Sequence, residues 1–178
     1  PIDVIAGREE ARLIYQGVAH LLPQSDERRL VLDIGGRSTE LIIGSGYAPR
    51  VMESYRVGSV AWSMRYFPDN LLSARNFERA EIAAKAVLDD AATTHGRKQW
   101  DQAYGCSGTV GAIADTLLLA ERSPARYQIT REGLDWLRDK LIKAGRFDAI
   151  KLEGIKEERK AVIAGGLSVL RALFDLLQ

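Results

Sequence analysis

Apolar residues in this chain fall into short β-rich runs and longer stretches at helical spacing, and glycines or prolines sit at most of the changeovers. Ile2 to Ile5 reads as a short strand ended by Gly7. From Arg8 to Leu22, the apolar residues Ala11, Ile14, Tyr15, Val18, Leu21 and Leu22 recur at helical spacing, and Pro23 with Gln24-Ser25-Asp26-Glu27 forms a linker. Strands follow at about 30–34 and 38–44, joined by a glycine turn, then a third at about 50–57 after Gly44-Ser45-Gly46. Gly58 opens a short helix through Phe67, whose Trp62, Tyr66 and Phe67 suit packing, and Pro68-Asp69-Asn70 stops it. Ser73 is an N-cap candidate for one long helix presenting Phe77, Ala80, Ala84, Val87, Leu88 and Ala91, which ends before Gly96 with His95 as a solvated cap. A fourth strand at about 102–106 turns through Ser107-Gly108-Thr109 into a helix reaching Leu119. Thr130 caps a helix with Leu134, Leu137 and Leu141 inward, and a loosely helical connector spans Phe147 to Leu152.

The last helix, Glu157 to Leu177, places Ile163, Leu167, Leu170, Phe174 and Leu177 on one side and is interrupted by Gly165-Gly166. Interior glycines cost about 1 kcal/mol each relative to alanine, so the pair needs a reason. Close helix–sheet packing and backbone approach to a ligand both supply one. The expected architecture is mixed α/β, one sheet of four strands with helices packed on it.

The densest chemistry lies at Leu30 to Gly44, LVLDIGGRSTELIIG. Asp33 sits where a strand interior would reject an acid. Gly35 and Gly36 permit unusual backbone angles and close approach. Successive N–H groups in such a turn suit an anion, and Ser38 and Thr39 add hydroxyls. Strand alternation puts Ser38, Glu40 and Ile42 on one face and Thr39, Leu41 and Ile43 on the other. Two carboxylates beside phosphate donors repel unless a cation lies between them, and Mg²⁺ held by carboxylate, water and substrate oxygen is the usual answer. An ordinary hairpin is the plain alternative. Ser107-Gly108-Thr109 is a second place where N–H donors meet the positive end of a helix, although Ser-Gly is also a common turn. Glu9 and Glu10 complement a helix N-terminus in the ordinary way.

Composition narrows the picture. The chain has 178 residues, 46% hydrophobic and 28% charged, with net charge +1. It has room for a sizeable core and no overall charge that favours nucleic acid or membrane. No apolar run approaches the roughly 18 residues of a membrane span, and no secretory signal is visible. A single Cys106 excludes an internal disulfide and fits a reducing cytoplasm; it reads as a buried small hydrophobe. Neither His20 nor His95 has a neighbour at zinc-ligand spacing.

DIGGRSTE at Asp33 to Glu40 resembles the DIGGGSTE signature of the exopolyphosphatase / guanosine pentaphosphate phosphohydrolase family, within the actin-like ATPase superfamily. GREEARLIYQGV at Gly7 to Val18 resembles that family's Glu-bearing segment, GCSGTVGAIAD at Gly105 to Asp115 its second phosphate loop, and EERKAVIAGGLSVL at Glu157 to Leu170 its late helix. The resemblance covers nearly the whole chain. It implies an actin-like, ribonuclease-H-like domain at 24–178 lacking its last strand. Residues 1–23 would be the terminal strand and helix of a preceding domain whose own DxGSNS-type loop is absent.

In the whole protein the resemblance implies hydrolysis of terminal phosphoanhydride bonds of inorganic polyphosphate at a cleft between two such domains. Glu10 would orient or deprotonate the water. Asp33 and Glu40 would hold Mg²⁺, both acting catalytically. Gly35, Gly36, Arg37, Ser38, Thr39, Ser107, Gly108, Thr109 and Arg159 would hold phosphate. Arg37 stands where the family has a third glycine: a positive φ there would cost about 1 kcal/mol, whereas an ordinary φ leaves the guanidinium able to add a phosphate contact. Guanosine pentaphosphate is the alternative substrate, and a weakly active polyphosphate- or nucleotide-binding regulator is a second alternative kept open by Arg37. An ATP-using kinase of the superfamily is disfavoured by Glu10 and the Ser107-Gly108-Thr109 turn. The resemblance also implies a cytoplasmic homodimer with neither a nucleic-acid partner nor a membrane span, the isolated piece being inactive.

Overall fold

The computed structural model describes residues 5–177, so most of the strand expected at Ile2 to Ile5 lies outside the described residues. Four strands, β1 (Arg28–Ile34), β2 (Thr39–Ser45), β3 (Ala48–Tyr55) and β4 (Gln102–Gly105), form one sheet in the order β3-β2-β1-β4. Pairing is antiparallel for β1–β2 and β2–β3 and parallel for β1–β4. This is the expected sheet, with the third strand set two residues earlier than anticipated. Among the described residues seven α-helices surround it: α1 (Gly7–Leu21), α2 (Ser59–Tyr66), α3 (Ala74–Val87), α4 (Ala91–Thr94), α5 (Gly108–Leu119), α6 (Arg131–Ala144) and α7 (Glu157–Leu176). Among the described residues no helix is long and apolar enough to cross a membrane.

The continuous apolar run of β1 follows from burial on both faces of the sheet. Leu30, Leu32 and Ile34, with Leu41 and Ile43 of β2, face a large core to which α2 through α7 all contribute. Val31 and Ile42 face the other way, against Ala11, Tyr15 and Ala19 of α1. Gly44 makes that second contact possible, because a Cβ there would meet the Tyr15 hydroxyl at 2.6 Å. Arg29, buried on the α1 side, pins the linker through Ser25 Oγ at 3.2 Å, Glu27 Oε2 at 3.1 Å and the Pro23 carbonyl.

Serines and threonines cap helices as their positions suggest: Ser73 accepts from the Asn76 N–H, Ser107 from Val110 and Thr130 from Gly133. Gly145 ends α6 in the left-handed region, at φ 75°.

Three expectations are overturned here. The single helix from Ser73 to Gly96 is two, α3 and α4, broken at Asp89 and Asp90, and the break leaves Val87 exposed. His95 is not a solvated cap. It is wholly buried, with Nε2 3.1 Å from the Leu41 carbonyl and Nδ1 2.8 Å from Thr94 Oγ1. A carbonyl can only accept, so Nε2 carries the ring proton, and burial lowers the imidazole pKa to about 4. Finally, Gly165 and Gly166 do not interrupt α7, which runs unbroken. Their reason is the approach of one helix to others. The Gly165 N–H donates to Ser63 Oγ of α2 at 3.0 Å, and a Cβ on Gly165 would meet the Ser63 nitrogen at 2.5 Å. A Cβ on Gly166 would collide with the Thr109 methyl of α5.

Candidate active site

β1 and β4 run parallel and end side by side, Leu32 opposite Gly105. Ligands of open α/β sheets bind beyond such carboxyl ends. A groove of about 330 Å³ opens there. One wall carries Asp33, Gly35 and Gly36; the other carries Cys106, Ser107, Gly108 and Thr109. Arg159 closes the end from α7, its guanidinium lying over Gly108 so closely that a Cβ on that glycine would meet Nη2 at 2.5 Å.

Donors on the second wall come from the start of α5. Ser107 caps Val110, which leaves the first-turn N–H groups of Gly108 and Thr109 at the positive end of the helix, with the Arg159 cation above them. The Thr109 methyl packs against Gly166, which seats this residue at the edge of the groove.

The first wall works differently from the expectation. Neither Gly35 nor Gly36 has positive φ, so no left-handed nest forms. The Gly35 N–H is donated to the Ser38 carbonyl at 2.9 Å. The Gly35 carbonyl accepts from the Ser59 N–H at 2.8 Å, and the Gly36 carbonyl from Val60 and Ala61, each at 3.0 Å, so the glycine turn caps α2. The N–H groups of Gly36 and Arg37 have no backbone acceptor among the described residues. Close approach rather than backbone angle is what glycine supplies: a Cβ on Gly36 would come within 3.3 Å of the Val60 side chain, and one on Gly58 would strike the Arg37 nitrogen at 2.5 Å. Arg37 also has no positive φ, so the steric objection to arginine falls away, and its side chain is exposed.

Thr39 is turned away from the groove. It is fully buried, and its hydroxyl donates to the Val57 carbonyl at 2.6 Å, so it cannot bind phosphate through its side chain.

The two acids meet. Asp33 and Glu40 are directly opposed across β1 and β2, which puts their side chains on the same face, the α1 face. Burial raises the pKa of both. For Glu40, hydrogen bonds from Ser54 and Ser38 oppose that rise, while the charges of Glu10 and Asp33 add to it. Ser54 Oγ donates to Glu40 Oε1 at 2.8 Å. Glu10 thus stands within electrostatic reach of Glu40 from the first turn of α1, whereas Glu9 is held by Arg12 at 2.7 Å as a surface acid. No lysine or arginine is ion-paired with Asp33, Glu40 or Glu10 among the described residues. No group of three or more His, Cys, Asp or Glu is poised to hold a metal among them either. Glu10 therefore does not join a ligand set with the other two. A pair of desolvated carboxylates lacking a cationic partner fits a divalent ion that takes its other positions from water and substrate.

Cys106 corrects another expectation. The residue is exposed at the groove, with its thiol 3.6 Å from Asp33 Oδ2. The sulfur also lies against the Leu32 carbonyl, and desolvation with the Asp33 charge pushes its pKa up to about 12. The thiol stays protonated and donates to Asp33.

The residues that the sequence did not point to are Ser54, which holds Glu40, and Ser59, whose N–H and hydroxyl both reach the Gly35 carbonyl. Strand alternation would have found Ser54, directly opposite Glu40 and next to Tyr55, only with the β2–β3 register in hand.

The whole chain, residues 1–178, matches the model of the Ppx/GppA phosphatase family. It is 42% identical over 178 residues to a guanosine-5'-triphosphate,3'-diphosphate pyrophosphatase of Vibrio vulnificus and spans 35% of that relative's length. Among solved structures it is similar to the Aquifex aeolicus PPX-GPPA enzyme, with TM-score 0.77 and 22% identity over 98% of this chain and 58% of that one. It is also similar to an exopolyphosphatase from Cytophaga hutchinsonii, with TM-score 0.79 and 23% identity over 99% of this chain and 58% of that one. These structural likenesses establish the shared fold, which is the actin-like one expected from the sequence.

Proposed function

The chain belongs to the Ppx/GppA phosphatase family, and on that premise we propose that the whole protein hydrolyses terminal phosphoanhydride bonds of inorganic polyphosphate, releasing phosphate. The observation that carries this reading is one groove holding Asp33, the Gly35-Gly36 turn, the start of α5 and Arg159, with Glu40 opposite Asp33 on the neighbouring strand.

Hydrolysis of an anhydride is mainly a matter of position and charge. The N–H groups of Gly36, Arg37, Gly108 and Thr109 take the oxygens of the terminal phosphoryl group, and Arg159 neutralises one of them. Ser38, on the Glu40 face of β2, offers its hydroxyl to phosphate beside that carboxylate, whose pKa it helps to hold down. Asp33 and Glu40 would hold Mg²⁺, which would neutralise charge on the anhydride oxygens. Glu10 orients the attacking water and takes its proton. Arg37 extends its guanidinium toward a neighbouring phosphate. The protein works in the cytoplasm as a homodimer.

A second substrate, guanosine pentaphosphate, is favoured by the name of the relative at 42% identity. No aromatic side chain lines the groove among the described residues, and assay decides between the two substrates. Phosphate release from polyphosphate, guanosine pentaphosphate and ATP is to be measured on the whole protein with and without Mg²⁺. Release from one of the first two, dependent on Mg²⁺ and reduced about a hundredfold or more by Glu10→Gln, supports the reading. Release from neither, or a Glu10→Gln variant within a few-fold of wild type, sinks it.

A further inference from the structure

We infer that Ser54 is a positioning residue for the acidic side of the site, joining the orientation of Glu40 to the seat of the helix that carries Glu10. The inference rests on the reading above and extends it to a residue of β3 outside the groove.

Three contacts meet at this serine. Its hydroxyl donates to Glu40 Oε1 at 2.8 Å. Ser54 is the direct partner of Glu40 in the β2–β3 register, so the two side chains share a face and the hydrogen bond needs no unusual rotamer. On the same face Gly7 begins α1 against it: a Cβ at Gly7 would lie 2.9 Å from both Cβ and Oγ of Ser54. A side chain at position 7 would therefore press on the serine or lift the start of α1, three residues before Glu10.

The consequence for Glu40 is orientation. A buried carboxylate beside another acid and without a cationic neighbour would rotate to lessen repulsion. A donor fixed in the adjacent strand keeps Oε1 on the β3 side and leaves Oε2 for the side of Asp33. The consequence for Glu10 is distance. The first turn of α1 rests on the short side chain of Ser54, so the separation of Glu10 from Glu40 is set at this contact.

The test uses the whole protein and the variants Ser54→Ala, Ser54→Thr and Gly7→Ala, with Mn²⁺ as a spectroscopic probe of the carboxylate pair. Loss of a hydrogen bond to a charged group is worth about a tenfold change. Ser54→Ala is expected to weaken Mn²⁺ binding, read by electron paramagnetic resonance, about tenfold and to lower kcat by about the same factor while KM for the phosphate substrate stays within about twofold. Ser54→Thr, which keeps the hydroxyl, restores both. Gly7→Ala is expected to lower kcat about tenfold with Mn²⁺ binding little changed. Thermal melting of each variant reports whether it folds.

Ser54→Ala with Mn²⁺ affinity and kcat both within about twofold of wild type overturns the inference, as does failure of the folded Ser54→Thr variant to restore them. Absence of Mn²⁺ binding by wild type overturns it too. A wild-type protein that binds Mn²⁺ but releases no phosphate overturns the phosphatase reading instead, and the binding arm still judges Ser54.

Discussion

The two faces of the sheet are built by different rules. On the face toward α7, every buried side chain of β1 and β2 except Thr39 is aliphatic, and the core they enter extends through six helices. On the face toward α1 the apolar contact shrinks to Ala11, Tyr15, Ala19, Val31 and Ile42, and the next positions along both strands are Asp33 and Glu40. The same two strands therefore provide stability on one side and charge on the other, through nothing more than alternation. Burying two unpaired carboxylates is unfavourable, and the large core behind them is what allows the molecule to carry that strain. This is the usual relation between a stable scaffold and a destabilised site.

The comparison predicts opposite behaviour for variants of the two faces. Glu40→Gln should lower turnover of the whole protein by about a hundredfold or more while leaving the melting temperature at neutral pH unchanged or higher; a variant that loses stability along with activity would erase the distinction. Leu167→Ala, wholly buried on the opposite face, should cost about 3 kcal/mol in urea unfolding with kcat per folded molecule unaltered.

His95 sharpens the contrast by pH. Its folded pKa is lowered to about 4, so the unfolded chain binds the extra proton between that value and about 6.5. Its contribution is complete above pH 6.5 and is lost as pH falls toward 4, by up to about 3 kcal/mol. Urea unfolding of His95→Gln should show a flatter dependence in that window. The acids act with the opposite sign. Asp33 and Glu40 have raised folded pKa values, so the folded state binds the extra protons, and stability falls as pH rises from the ordinary carboxylate range through the raised one. Glu40→Gln should remove part of that fall.

The smallest expected effect is Arg37→Gly, a few-fold loss of polyphosphate affinity in a filter-binding assay. Tighter binding by the glycine variant would show that Arg37 hinders rather than helps.

Much of this was legible in the sequence because the governing signals are local. Alternation placed Glu40 opposite to Thr39 in facing, and that alone should have removed Thr39 from the phosphate contacts. Caps at Ser73, Ser107 and Thr130 were readable from residue type. His95 was not, because the group that buries it, the Leu41 carbonyl, lies 54 residues away in sequence. The exposure of Cys106 depends on the mutual placement of β4 and β1, and the service of the Gly35 and Gly36 carbonyls to α2 depends on a helix that begins more than twenty residues later. What sequence periodicity cannot express is which of several compatible partners a group finds.

The glycine pair of α7 touches more than its immediate neighbours. Gly165 bears on Ser59 and Ser63, Ser59 holds the Gly35 carbonyl, and Gly166 bears on Thr109. Both lips of the groove therefore rest on adjacent residues of one rigid rod, like the jaws of a caliper locked to a single bar. The gap between them is gauged by that rod, and one methyl group added to it would press on Ser59 or Thr109 and reset the spacing.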